Sequence, residues 1–282
     1  LFAPVQNLGL IIVDEEHDSS YKQENSPRYH GRDLAVLRAH LEGATVVLGS
    51  ATPSLESLYN VSSGKYSMLR MDKRADGQRL PLTRVLDMRT EAKDKRYLGI
   101  LSERLRMAME DRLKKGEQTI LLLNRRGFAR SLQCPDCGHI VSCEHCSLPL
   151  TYHATENRLI CHICGYRAAV PRKCPECGSA NILLEGYGTQ KVEKLLRNCF
   201  PNARIQRVDA DVAARKNALR DILADFRAHR IDILLGTQMI SKGLDFPGVT
   251  LVGVLNADIG LSMPDPRAAE RTFQLLTQVA GY

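Results

Sequence analysis

A chain of 282 residues, 44% hydrophobic and 25% charged, describes a soluble globular protein with material for one large or two modest domains. It has no run of about 18 uncharged apolar residues, and no basic segment precedes a short apolar one, so neither a membrane span nor a secretory signal is expected and a cytoplasmic setting is. The formal charge of +7 is uneven: Lys and Arg number 4 against 8 acidic residues in 1–60, 18 against 9 in 61–133, 4 against 4 in 134–177 and 13 against 11 in 178–282. A basic stretch beside an acidic one suits a protein that holds a polyanion on one surface and a metal–phosphate site on another, although a solvated linker and helix face would give the same balance. The chain opens on Leu1 rather than Met and stops at "TQVAGY", as a piece of a longer protein would.

The first apolar run, "LGLIIVD" (8–14), reads as a strand and leads into "EEHDSS", so carboxylates crowd its tip. A polar loop follows, then a helical pattern at 31–43 ending on Gly43, a second strand "ATVVLGS" (44–50) and a small polar turn "GSATPS" (49–54). Residues 70–97 are polar, basic and weakly periodic, and read as a connection between two α/β units. Beyond it come a helix at 101–116 ending on Gly116, the strand "QTILLLN" (118–124), helices at 189–200 and 214–229, and the strands "IDILLGT" (231–237) and "VTLVGVLNAD" (249–258). Continuous apolar strands alternating with helices predict an α/β fold, with parallel sheets flanked by helices on both faces. Residues 134–177 interrupt the second unit as a cysteine-rich insertion.

Eight of the nine cysteines form four CxxC pairs: Cys134/Cys137, Cys143/Cys146, Cys161/Cys164 and Cys174/Cys177. Two thiolates with two residues between them can turn back on one metal, and four such sulfurs in a tetrahedron are what structural Zn²⁺ prefers, so two Cys₄ zinc sites are expected. Three pairs carry Gly just past the second Cys, where the chain must turn sharply. Disulfides would need an oxidising compartment, iron–sulfur ligation usually shows other spacings, and a redox CxxC does not come in fours. His139, His145 and His162 are surplus to eight thiolates, and Cys199 reads as a buried free thiol. Of the three ways to join the pairs, sequential joining would close one ion across only five residues, between Cys137 and Cys143. The middle pairs are fourteen apart, close to the roughly 15–20 usual between halves of a Cys₄ site. Nesting is therefore expected: Cys134, Cys137, Cys174 and Cys177 on one zinc, Cys143, Cys146, Cys161 and Cys164 on the other.

Ligands of open α/β sheets bind at the C-terminal ends of the strands. There Asp14 would hold Mg²⁺ through its water shell and Glu15 would orient an attacking water, the arrangement of a nucleotide hydrolase; a helix N-cap is the plainer reading of the same residues. Hydroxyls of Ser50 and Thr52 on the neighbouring strand tip are placed to report the state of that acidic site.

These stretches resemble superfamily 2 helicases: "VDEEH" looks like motif II, with Asp14, Glu15 and His17 in its catalytic positions, and "GSATPS" like motif III. "LLLNRRGF" (121–128) resembles motif IV, "GTQMISKGLDFPGVTLV" (236–252) motif V, and "FQLLTQVAG" (273–281) the opening of motif VI. Joined to four CxxC pairs, they are similar to the primosomal replication-restart DNA helicases, the PriA family, over essentially the whole chain. The resemblance implies two RecA-like lobes closing on ATP and Mg²⁺, with 3′ to 5′ translocation on single-stranded DNA at stalled or abandoned forks. It implies motor-coupling roles for Ser50, Thr52, Gln238, Lys242, Gly243, Asp245 and Gln278, a zinc module that serves unwinding and contacts other primosome proteins, single-stranded DNA-binding protein as a further partner, and the same nested zinc pairing. It also makes "SSYKQENSPRYHGRDLA" (19–35) the loop that couples forked and single-stranded DNA to hydrolysis. In that loop Tyr21 and Tyr29 offer faces for bases, and Lys22, Arg28 and Arg32 can meet phosphates; without the resemblance it would be an ordinary polar loop.

The implied organisation is the end of lobe one at 1–69, the connection at 70–97, the start of lobe two at 98–133, the zinc insertion at 134–177 and the rest of lobe two at 178–282. The chain departs from the pattern in four places. It has no Gly-rich phosphate loop with a Lys, no arginines after "TQVAG", Gln190 where Glu is common, and "DADVAA" (209–214) in place of an Asp-Thr-Thr pattern. The 282 residues alone are therefore expected to be inactive. A rival from another class is a zinc-ribbon module for nucleic acid or protein on a catalytically dead motor; another superfamily 2 motor is disfavoured by "LLLNRRGF" just before the first CxxC.

Overall fold

The computed structural model describes residues 1–71, 81–91, 100–123, 131–153, 155–180, 182–184, 189–209, 212, 217–237, 246–261, 263 and 265–280. It divides into two units, Leu1–Arg79 and Leu80–Tyr282, and the division falls within the stretch expected to be a connection. Among the described residues no helix is long and apolar enough to cross a membrane.

In the first unit β1 (Leu10–Val13) leads through a two-rung hairpin, β2 (Lys22–Gln23) and β3 (Tyr29–His30), into α1 (Gly31–Glu42) and then β4 (Thr45–Leu48). β1 and β4 pair in parallel, Leu10 opposite Thr45 and Val13 opposite Leu48, which needs the crossover that α1 supplies. The helix buries Ala35 and Ala39, whose small side chains let it lie close to the strands. Gly43 ends it in the left-handed region at φ 68°, its N–H donating to the Ala39 carbonyl. After β4 the chain enters α2 (Leu55–Ser62), capped by the Ser54 side chain accepting from the Ser57 N–H. The expectation of strands covered on both faces holds for one face only: Leu10, Ile12 and Val47 are exposed, because α1 covers the opposite face and no described element covers theirs.

The second unit opens with a short helix, α3 (Met88–Glu91), and α4 (Glu103–Lys114), whose cap Ser102 accepts from the Leu105 N–H. β5 (Gln118–Leu123) follows and is buried at every residue. After the cysteine-rich insertion come α5 (Thr189–Cys199), β11 (Ile205–Val208), α6 (Ala218–Arg227), β12 (Ile233–Gly236), β13 (Val249–Leu255) and α7 (Ala268–Val279). The strands form one parallel sheet in the order β11-β12-β5-β13. Alternation along β5 divides the core. Leu121 and Leu123 join Met109, Leu196 and Leu235 on the face of α4 and α5, while Ile120 and Leu122 join Phe226, Leu234 and Leu275 on the other. Each such side chain contributes about 1.5–3 kcal/mol on burial, which is why the central strand tolerates no polar residue in "ILLL".

Within the insertion β7 (Thr151–His153), β8 (Arg158–Ile160) and β9 (Arg167–Ala169) make an antiparallel sheet. Its base is closed by β6 (Leu132–Gln133) against β10 (Leu183–Leu184), Gln133 opposite Leu183 and Leu132 opposite Leu184. The ordered base thus reaches beyond 134–177 on both sides.

Gly253, in β13, has no room for a side chain: a Cβ there would meet Leu121 Cδ2 at 2.7 Å and Leu105 at 3.1 Å. Gly253→Ala therefore forces the sheet and α4 apart and should cost about 1–3 kcal/mol, the usual penalty of overpacking, measured by urea unfolding at an unchanged slope.

Candidate functional site and metal centres

The end of β1 is shaped by its pairing with β4. The Gly49 N–H donates to the Val13 carbonyl at 2.8 Å and the Glu16 N–H to the Gly49 carbonyl at 3.1 Å, so the two strand tips turn together. Glu15 sits in the left-handed region at φ 45°, a conformation that costs a non-glycine residue about 1–2 kcal/mol. Its N–H donates to Asp14 Oδ1 at 2.9 Å and its carbonyl accepts from the Asp18 N–H at 2.8 Å, which holds it there. Asp14 and Glu15 present exposed carboxylates. His17 Nδ1 lies 2.7 Å from Ser50 Oγ and 3.4 Å from Glu15 Oε2, and Ser50 Oγ accepts the Thr52 N–H at 2.9 Å. Thr52 Oγ1 is buried without a hydrogen-bond partner among the described residues.

The third carboxylate is different. Glu16 is 1% exposed; its Oε1 accepts the Ser54 N–H at 2.6 Å, and its Oε2 accepts from Ser54 Oγ, Ser57 Oγ and Arg32 Nη1, each at 3.0 Å. Arg32 also donates to Ser54 Oγ at 2.6 Å and to Asp33 Oδ1 at 2.9 Å. Burial works against the Arg32 charge, yet the hydrogen bonds to Glu16 and Asp33 outweigh it and hold its pKa above the usual guanidinium value. Arg32, expected on a phosphate, is here turned inward and 8% exposed. Sequence reading passed over Glu16, Ser54 and Ser57; the available signal was a third acidic residue in "DEEH" together with "TPS" opening a helix.

Of the remaining loop residues, Lys22 and Arg28 are exposed. The Tyr21 hydroxyl donates to the Asp14 carbonyl at 2.7 Å, tying the loop to the strand tip, and the Tyr29 ring meets Phe2 edge-on with centroids 5.8 Å apart. Gln278 lies in the last turn of α7. Gln238, Lys242, Gly243 and Asp245 lie outside the described residues, as does most of "LLLNRRGF".

The cysteines converge as two quartets, Cys134, Cys137, Cys174 and Cys177, and Cys143, Cys146, Cys161 and Cys164, with the sulfurs of each within 4.8 Å of one another. This is the nested arrangement. Cys134 and Cys177, Cys137 and Cys174, and Cys143 and Cys164 are 3.6 Å apart at sulfur, near the roughly 3.8 Å edge of a tetrahedron with zinc–sulfur bonds of about 2.3 Å. Each pair is the same tight turn: the carbonyl of the first Cys accepts from the N–H four residues on, at Gly138, Ser147, Gly165 and Gly178. All four residues have positive φ, Ser147 at 55° without the freedom of glycine. N–H groups of Cys164 and Ile163 donate to Cys161 and draw it down to about 7, and those of Cys177 and Glu176 do the same for Cys174. Neighbouring sulfurs and burial push Cys146 up to about 12. Four sulfurs so close cannot all ionise on their own, and a divalent cation at the centre would supply the missing charge. The donor set fits zinc.

A parallel sheet with helices on both faces, matched over residues 178–280 by the helicase conserved C-terminal domain, defines the second unit as helicase-like, and residues 143–168 match the Cys-rich region of PriA DNA helicase. Replication restart protein PriA of Bacillus subtilis is 49% identical over 281 residues, covering 100% of this chain and 35% of the relative. Those of Chlamydia trachomatis and Haemophilus influenzae are each 47% identical, covering 100% of the chain and 38% of the relative. The chain is similar along its whole length to these replication restart proteins and spans little more than a third of their length.

Two zinc ions per chain are expected by metal analysis. Since structural zinc contributes on the order of 10–16 kcal/mol to small domains, chelation should unfold the insertion and leave the parallel sheet folded, as read by hydrogen exchange. Gly165→Ala, which forces a side chain into the left-handed region, should destabilise the insertion by about 1–2 kcal/mol.

Proposed function

We propose that the protein carrying this chain is an ATP-dependent DNA helicase that moves 3′ to 5′ along single-stranded DNA and restarts replication at stalled or abandoned forks. The observation that carries this reading is the strand tip, where Asp14, Glu15, His17 and Ser50 meet within hydrogen-bonding reach in a chain similar along its whole length to replication restart proteins. Magnesium-bound ATP would bring the phosphate charge to this tip. With that group bound, Asp14 would hold the water shell of the metal, Glu15 would take the proton of the attacking water, and His17 would carry the state of Glu15 to Ser50 and the turn before α2. Gln238, Lys242, Gly243, Asp245 and Gln278 belong to the coupling of that site to movement.

The same reading gives Tyr21 and Tyr29 to bases and Lys22 and Arg28 to phosphates of forked or single-stranded DNA. It gives the zinc module to unwinding and to contacts with other primosome proteins, and gives the whole protein single-stranded DNA-binding protein as a partner. Two quartets of reduced cysteines suit a cytoplasmic protein working away from membranes.

In the complete protein, Glu15→Gln should keep nucleotide binding and lose about 10²- to 10⁴-fold in turnover, the span of general base catalysis; normal turnover would remove Glu15 from its role. An unmodified complete protein that binds DNA without turning over ATP would leave only the zinc-ribbon binding module. The 282-residue chain alone should bind DNA weakly, with an affinity that falls steeply as salt rises, and show no measurable ATPase. Tyr21→Ala or Tyr29→Ala should cost about 1–3 kcal/mol of DNA affinity in a fluorescence titration if a base stacks there.

A further inference from the structure

The carboxylate of Glu16 cannot reach a nucleotide, since it is 1% exposed and its oxygens are taken by four donors. Those donors come from two other segments: Arg32, at the start of α1 where the 19–30 loop ends, and Ser54 and Ser57, where the turn after β4 enters α2. Glu16 itself stands between Glu15 and His17. A buried charge fixes position more strictly than an apolar contact, because any shift that lengthens its hydrogen bonds leaves it unpaired in a medium of low polarity. The loop also holds the tip through the Tyr21 hydroxyl on the Asp14 carbonyl. A movement of the loop therefore reaches the strand tip at two points, Asp14 and Glu16, on either side of Glu15.

We propose that the buried Glu16–Arg32 pair is the positioning device through which the 19–35 loop sets the geometry of Glu15, His17 and Ser50, so that Arg32 acts through Glu16 and not on a DNA phosphate. The inference rests on the motor reading above. Ser54 and Ser57 make the device three-sided: they register the loop, the acidic tip and the α2 entrance against one carboxylate.

The test uses the complete protein, unmodified and as Glu16→Gln, Arg32→Gln and Ser57→Ala. Three quantities are read: the ratio of DNA-stimulated to DNA-free turnover, DNA affinity with its salt dependence, and thermal stability. Arg32→Gln and Glu16→Gln should lower the turnover ratio at least about fivefold, the lower end of usual coupling energies, while the salt slope of DNA binding stays unchanged. A shared loss of DNA affinity with a slope shallower by about one would make Arg32 a phosphate contact and overturn the proposal, as would an unchanged ratio. If both charge variants fail to fold, Ser57→Ala, which removes one donor to the same oxygen, carries the test: a lowered ratio supports the proposal and an unchanged one overturns it. Absence of turnover from the unmodified protein overturns the motor reading and this inference together, which separates that failure from the others.

Discussion

A carboxylate taken out of water has to be given a partner for its charge and its lone pairs, or it does not stay ionised and buried. Glu16 is held by this demand, and the first unit is arranged to meet it. One guanidinium, two hydroxyls and one amide converge from α1 and the entrance of α2. The two parallel strands alone are a small sheet with one face exposed, so order at their C-terminal ends comes from this polar knot more than from apolar burial. That order lets Glu15 keep a left-handed backbone beside Asp14. The exposed carboxylates and His17 are therefore carried on a rigid turn.

The insertion meets an equivalent demand with metal in place of carboxylate. Its fully buried apolar cluster is small: Leu132, Leu150 and Leu159 with two ligand cysteines, Cys143 and Cys161, while Val141, Tyr152, Tyr166 and their neighbours pack against it only partly buried. A core of that size cannot stabilise so short a segment without a further constraint. The sulfurs supply it, held by four turns of the same hydrogen-bond pattern, and N–H groups aimed at Cys143, Cys161 and Cys174 prepare the sites for a cation.

Much of this was legible in the sequence where one residue type dominates a pattern. The apolar runs that became β5 and β12 could be read because buried parallel strands tolerate little but Val, Ile and Leu. The cysteine grouping could be read because chain length alone disfavours the sequential pairing. β11 escaped notice: "IQRV" is an edge strand with Gln206 and Arg207 only partly buried, and it shows no continuous apolar run. α2 escaped because it begins with a cap rather than a long amphipathic pattern. Arg32 looked like a free cation because nothing local marks Glu16 and Ser54, 16 positions before it and 22 after it, as its partners. Buried polar networks are assembled by tertiary structure, and a linear reading sees only their members one at a time.

The short ladder between β6 and β10 bears on how much chain the central sheet has to close. β5 must find β12 across more than a hundred positions, from Gln118–Leu123 to Ile233–Gly236, and the closure entropy of that search grows with the length of free chain between them. Once the cysteine module has closed, Leu132 and Leu184 are neighbours and the residues between them no longer count as free chain. A cysteine module that closes first would work as a splint: it would shorten the search for the central pair of the sheet, although it contributes no strand to that sheet.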